Sequence, residues 1–112
     1  MARDREALLD IAHAANLTLE FRQGMSEEDF YKDLKTQSAV LHQLLIMGEA
    51  VKRLSASFRH NHPEIDWKAI AGLRDILIHA YDTVDIELVW EIIDMRLPLL
   101  LKNLTPLLPK GD

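Results

Sequence analysis

The residues best equipped for chemistry stand close together in RDILIHAY, from Arg74 to Tyr81. Arg74, Asp75, His79 and Tyr81 are set into an otherwise apolar run of Ile76, Leu77, Ile78 and Ala80. An arginine is a permanently charged fork that matches phosphoryl oxygens. A histidine, with an ordinary pKa of about 6.5, can take or give a proton near neutrality. Asp75 precedes His79 by one helical turn, so its carboxylate can accept from the imidazole and fix the tautomer. These types together suit phosphate chemistry with proton transfer. Plainer readings stand beside this one. Arg-x4-His is a weak pattern by itself, a lone histidine in an apolar helix is more often a packed structural residue, and Tyr81 is as well explained as a half-buried structural tyrosine.

Helical geometry constrains the set. Arg74 and His79 point about 140° apart on a regular helix, too far round to address one small atom. Arg74 and Tyr81, two turns apart, fall nearly on one face if the helix persists that far. A two-fold pair of chains relieves the divergence, because the same helix from each copy can face its mate and bring two arginines and two histidines to one cleft.

The elements that must hold these residues read as helices throughout. Leu8, Ile11, Ala12, Ala15 and Leu19 share one face of a first helix that ends at Gly24, suited to the left-handed position after a helix. Ser26, Asp66 and Asp85 are expected N-caps, with Asp29 completing a capping box on Ser26. Each is flanked by an apolar staple pair: Met25 with Phe30, Ile65 with Ile70, Val84 with Val89. The longest helix is expected from about Thr36 to about Arg59, with Val40, Leu44, Met47, Val51, Leu54 and Phe58 as its seam. Gly48 in its middle weakens the helix by roughly 1 kcal/mol relative to alanine, which close helix approach would explain. His60 to Pro63 should end it, since the residue before a proline avoids the helical region. The last helix starts at Ile86 and carries Val89, Trp90, Ile93 and Leu97 inward, and Pro98 should kink or break it. The expected fold is all-α, an antiparallel bundle of four to five helices.

Composition narrows the class. The chain has 112 residues, 48% of them apolar and 28% charged, which suits one globular domain over residues 1–112. It has no cysteine, so disulfides and thiolate metal sites are excluded. MARDREALLD lacks the apolar core of an export signal, and LPLLLKNLTPLLP is too short and interrupted to span a bilayer, so a soluble cytoplasmic protein is expected, with no membrane partner. The net charge of −5 argues against binding nucleic acid over the whole surface. Yet Lys52, Arg53, Arg59, Lys68 and Arg74 face only Glu64 and Asp66 within their segment, so a local anion-binding face is as good a reading as solvated helix charges.

GLRDILIHAY resembles the signature of the HEPN superfamily of small helical proteins, in its HepT-like toxin branch. MGEA at Met47–Ala50, HPEIDW at His62–Trp67, HAYDTVD leading to Trp90, and Leu97–Pro98 are similar to further family landmarks in family order, from about Asp4 to Leu104. The resemblance implies a HEPN-like bundle and a metal-independent ribonuclease toxin acting on RNA, tRNA in some relatives. It implies no cofactor and a homodimer with its cleft between subunits. It also implies a small nucleotidyltransferase antitoxin, which in related pairs transfers AMP to the motif tyrosine, by position Tyr81. Arg74 and His79 are then the catalytic pair, with Asp75, where many relatives have asparagine, and Glu49 in support.

Chemistry agrees with that implication. RNA is cut without metal when its 2′-OH attacks phosphorus, which requires a base, an acid and cover for phosphate charge. His79 fits the proton transfers and Arg74 the phosphate. Other candidates read more plainly: His60-x-His62 lacks a third ligand at helical spacing, Trp67 and Trp90 sit at apolar periodic positions, and Glu49 is an ordinary solvated glutamate unless Gly48 brings a helix close. A second function class stays open, a non-catalytic helical subunit whose Arg74 and His79 hold nucleotide or a partner protein.

Overall fold

A computed structural model describes residues 2–109, apart from the side chains of Ala2 and Tyr81. Among the described residues the chain is all-α, without strands. The helices are α1 (Ala2–Phe21), α2 (Glu27–Tyr31), α3 (Leu34–Arg53), α4 (Ala56–Asn61), α5 (Trp67–His79), α6 (Ile86–Glu91) and α7 (Leu97–Leu104). The last two are joined by a π turn, Ile92–Arg96, into one rod. Four long rods therefore make the bundle, with α2 and α4 as short pieces between them. Central α3 packs on α1 and α5, and α1 also meets α7.

The expected start signals operate. Ser26 and Asp29 form the reciprocal box at α2, with both hydrogen bonds at 3.1 Å. Asp66 accepts from Ala69 N at 3.0 Å and Asp85 from Glu87 N at 2.9 Å. Gly24 adopts φ +79° in the turn after α1, a backbone conformation that a Cβ disfavours. The α1 face of Leu8, Ile11, Ala12 and Ala15 is buried, as are Val40, Leu44, Met47, Val51 and Leu54 of the central seam.

Three details differ from the sequence reading. The long helix starts earlier, because Asp33 caps α3 by accepting from Thr36 N (3.0 Å) and Thr36 Oγ1 (2.8 Å). It also ends earlier. Leu54 leaves the helix at φ −65°, ψ 143°, and Ser55 caps a separate α4, which carries Phe58 off the α3 seam. The chain can break there because the buried Asp4 of α1 accepts from Ser55 N (2.7 Å) and Ser55 Oγ (2.8 Å), while Arg3 Nε donates to the Arg53 carbonyl (2.7 Å). Finally, Pro98 disturbs the last helix, as expected, but does not end it. A proline cannot donate to the carbonyl four residues back and its ring crowds that oxygen. The π turn takes up the misfit, with Leu97 N bonding to Ile92 O, and α7 continues through Pro98.

The Asp4 contact should be measurable. The Ser55 N–H holds the Asp4 carboxyl below its usual range. A depressed pKa gives stability that is present above the unfolded value, near pH 4, and is lost as pH falls through the folded value. Asp4→Ala should cost about 1–3 kcal/mol in urea unfolding at pH 7, because it strands the half-buried Ser55 donors. The gap to wild type should narrow below pH 4.

Candidate active site

Two helices hold the residues in question. Glu49 and Lys52 lie on α3, and Arg74, Asp75 and His79 on α5. Gly48 is what lets these helices touch. A Cβ at that position would collide with Arg74 Cβ and come within 3.1 Å of the Ile70 carbonyl and 3.2 Å of Arg74 Cα. Burial of Trp67 and Leu77 fixes the rotation of α5, and Trp67 Nε1 donates to the His62 carbonyl at 2.9 Å to tie its start to the end of α4.

Arg74 therefore emerges at the crossing and its guanidinium lies along α3. Its Nε donates to Glu49 Oε1 at 2.6 Å and its Nη1 to Asp75 Oδ1 at 3.1 Å. Lys52 Nζ reaches the same Asp75 oxygen at 2.7 Å. Glu49, then Asp75, raises the Arg74 pKa above its ordinary value, so its charge is constant. Lys52 first and Arg74 second hold the Asp75 carboxyl below the usual range, so it stays ionised. The four groups form a charge-neutral quartet. The side chains of Glu49 and Asp75 are each 48% exposed, so solvent or another anion can exchange with them. Glu49 is thus at the crossing that Gly48 permits, not loose in solvent.

His79 is the final residue of α5 and is exposed, with no hydrogen bond or ion pair to another described residue. Asp75 is thereby given to Lys52 and Arg74, and no hydrogen bond joins it to His79 among the described residues. Helix α5 persists through both Arg74 and His79, so their divergence of about 140° stands. It does not persist to Tyr81. Ala80 leaves the helix at φ −141°, ψ 38°, and its carbonyl accepts from Thr83 N (3.0 Å) and Thr83 Oγ1 (3.1 Å) in a 3-10 turn over Tyr81–Thr83. The shared face of Arg74 and Tyr81 is lost with the helix, and the side chain of Tyr81 lies outside the described residues.

The other candidates resolve as packing. Trp67 is buried 6.1 Å from Phe58, and Trp90 lies 5.5 Å from Phe30 with Arg22 over its ring at 5.2 Å. His62 lies against Phe58 at 4.5 Å and reaches Glu64 at 3.3 Å. Among the described residues no three His, Asp or Glu side chains gather as a metal site. Nor is the basic segment one face, since Arg53 turns to Asp10 at 2.6 Å. Lys52 had no separate standing in the sequence beyond its charge. The available signal was its position one turn after Gly48, on the same face of α3.

On the far flank of α5 an apolar groove of about 720 Å³ separates it from the α6–α7 rod. Ile76, Leu88, Met95 and Leu99 line it while remaining 53%, 41%, 66% and 57% exposed, an apolar surface that a lone soluble chain would ordinarily cover. Among the described residues no helix is long and apolar enough to cross a membrane.

Comparison with known proteins places the chain in a family. The family described as HepT-like, ribonuclease HepT-like, matches residues 11–107. A protein of Thermococcus cleftensis named "Probable ribonuclease HepT" is 44% identical over 94 residues, covering 84% of this chain and 86% of its own. One from Caldanaerobacter subterraneus subsp. tengcongensis, named as a "putative RNase", is 40% identical over 110 residues, 98% of each chain. No solved structure gives a significant match. The family match over residues 11–107 and these two relatives lead to one conclusion: the chain belongs to the HepT-like family of ribonucleases.

Proposed function

We propose that the protein is a metal-independent endoribonuclease toxin that cleaves RNA at a cleft between two copies of the chain. The observation that carries this reading is α5 itself, which presents a fixed, permanently charged Arg74 and an exposed His79, without a hydrogen bond or ion pair among the described residues, on one rigid element. In the reaction, one histidine takes the proton from the 2′-OH, whose oxygen bonds to phosphorus. The bond from phosphorus to the 5′ oxygen breaks and that oxygen receives a proton from the second copy's histidine, leaving a 2′,3′-cyclic phosphate and a 5′-hydroxyl. Arg74 binds the non-bridging oxygens and stabilises their added charge.

Pairing answers the divergence of Arg74 and His79, because a two-fold axis beside α5 lets one chain's arginine complement its mate's histidine. The exposed apolar surface of the α5/α6–α7 groove supplies area for the contact. Control falls to a small nucleotidyltransferase antitoxin. It would join the Tyr81 hydroxyl oxygen to the α-phosphorus of ATP and release pyrophosphate. An AMP just past His79 adds bulk and negative charge where RNA must enter.

Purified protein incubated with total RNA and tRNA in EDTA tests the reading. Wild type should cleave, and Arg74→Ala should lose about 10²–10³ in rate, as expected for a removed transition-state donor. A folded, dimeric wild type with unmodified Tyr81 that cuts neither RNA would instead support the second reading, a nucleotide- or protein-binding subunit. The engagement of Arg74 by two carboxylates favours that alternative.

A further inference from the structure

We propose that Lys52 and Arg74 form a two-cation clamp for a single RNA phosphate, and that the Asp75 carboxylate is the clamp's resting occupant. The inference rests on the nuclease reading and adds to it a substrate-binding residue, Lys52, and a role for Asp75.

The geometry is specific. One oxygen, Asp75 Oδ1, receives Lys52 Nζ at 2.7 Å and Arg74 Nη1 at 3.1 Å, so cations from two different helices converge on one anionic oxygen. A non-bridging phosphate oxygen presents the same charge and accepts the same two donors. Arg74 is held in place without Asp75, because Glu49 grips its Nε at 2.6 Å and its β-carbon is packed at Gly48. Lys52 sits one turn from Gly48 on the same face of α3, so the helix crossing that places Arg74 also places the lysine.

The exchange is physically accessible. The side chains of Lys52 and Asp75 are 40% and 48% exposed, so their contact is an open surface pair. Such pairs are held loosely. A phosphate brings two non-bridging oxygens and can engage both cations while Asp75 swings to solvent. Asp75 belongs to α5 just before the exposed Ile76, so its side chain has room to turn outward. The carboxylate then has two consequences. It keeps the cations apart from adventitious anions, and it weakens RNA binding by competing for both of them.

The test is the salt dependence of binding to a 2′-O-methyl oligoribonucleotide, which cannot be cleaved because its 2′ oxygen is blocked. Loss of one phosphate contact lowers the slope of log affinity against log salt by about 0.7 for a single strand. Lys52→Met should show that lower slope and bind about tenfold more weakly, the effect of one lost hydrogen bond to a charged group. Lys52→Arg should retain the wild-type slope. Asp75→Asn should bind severalfold more tightly than wild type. The decisive arm is Lys52→Met in the Asp75→Asn background. A direct phosphate contact still loses about tenfold there, whereas a lysine that only neutralises Asp75 loses nothing, which would overturn the proposal. Unchanged slopes, or no binding by the wild type, would overturn it as well. Cleavage of the unmodified oligonucleotide by wild type, measured in parallel, reports separately on the nuclease reading. Slopes that change without any cleavage keep the clamp and reject the nuclease.

Discussion

His79→Ala should abolish metal-free RNA cleavage, lowering the rate by about 10²–10⁴ while the melting temperature stays close to that of wild type. The two readouts separate because of where the residue sits. His79 ends α5 with an exposed ring and no hydrogen bond or ion pair to the rest of the described chain, so removing the imidazole leaves no cavity and no stranded partner. A packed structural histidine would behave the other way, losing stability first and activity only as a consequence. Both subunits of the proposed pair lose their imidazole in the variant, so the base and the acid disappear together. Fluorescence of a labelled tRNA, followed with a thermal melt of the same preparation, provides the measurement. Retained cleavage would remove His79 from the mechanism.

The second large effect is expected at Gly48, where two opposing terms can be weighed. In an isolated helix, replacing a mid-helix glycine by alanine stabilises by about 1 kcal/mol. Here the new methyl would meet Arg74 Cβ, the Ile70 carbonyl at 3.1 Å and Arg74 Cα at 3.2 Å. None of these is the far end of a flexible side chain, so the methyl fits only if α5 moves away from α3. Overpacking of that kind costs about 1–3 kcal/mol. The clash wins over propensity. Gly48→Ala should therefore lower the melting temperature by several degrees, on the scale of about 4–8 °C per kcal/mol for small domains. It should lower cleavage further than stability alone explains, since Arg74 is carried by the backbone that must shift. Gly48→Val should be worse on both counts. A variant that melts higher than wild type would mean that α3 and α5 do not approach as closely as the structure has them.

Much of this was legible in the sequence, and the reasons are local. The caps at Ser26, Asp66 and Asp85 are short-range chemistry between a side chain and a backbone N–H three residues on, and all three form. Periodic apolar spacing gave the buried faces of α1 and α3. What was not legible depends on residues distant in the chain. The break at Leu54–Ser55 needs Asp4, 51 residues before Ser55, to accept from it. At Pro98 the local signal marked the disturbance but not its form, a π turn through which the helix continues.

The site divides in the same manner. Glycine in the middle of an amphipathic helix pointed to a close approach, and the approach is there, with Glu49 beside it. Spacing on an ideal helix suggested that Asp75 would hold His79. The structure gives Asp75 to a lysine on another helix, a partner that sequence separation hides. Spacing put Tyr81 nearly on the face of Arg74 only if the helix persisted that far, and α5 stops at His79.

Whether RNA is cut by attack of its own 2′-OH is read from the chemistry of the cut ends. Wild-type protein, dialysed against EDTA, is incubated with a defined RNA, and the termini of the fragments are identified by mass spectrometry. Attack by the 2′-OH with Arg74 and His79 leaves 2′,3′-cyclic phosphates and 5′-hydroxyls, and this is the expected result. Fragments ending in 3′-hydroxyls and 5′-phosphates, or cleavage that disappears with EDTA, would contradict the account.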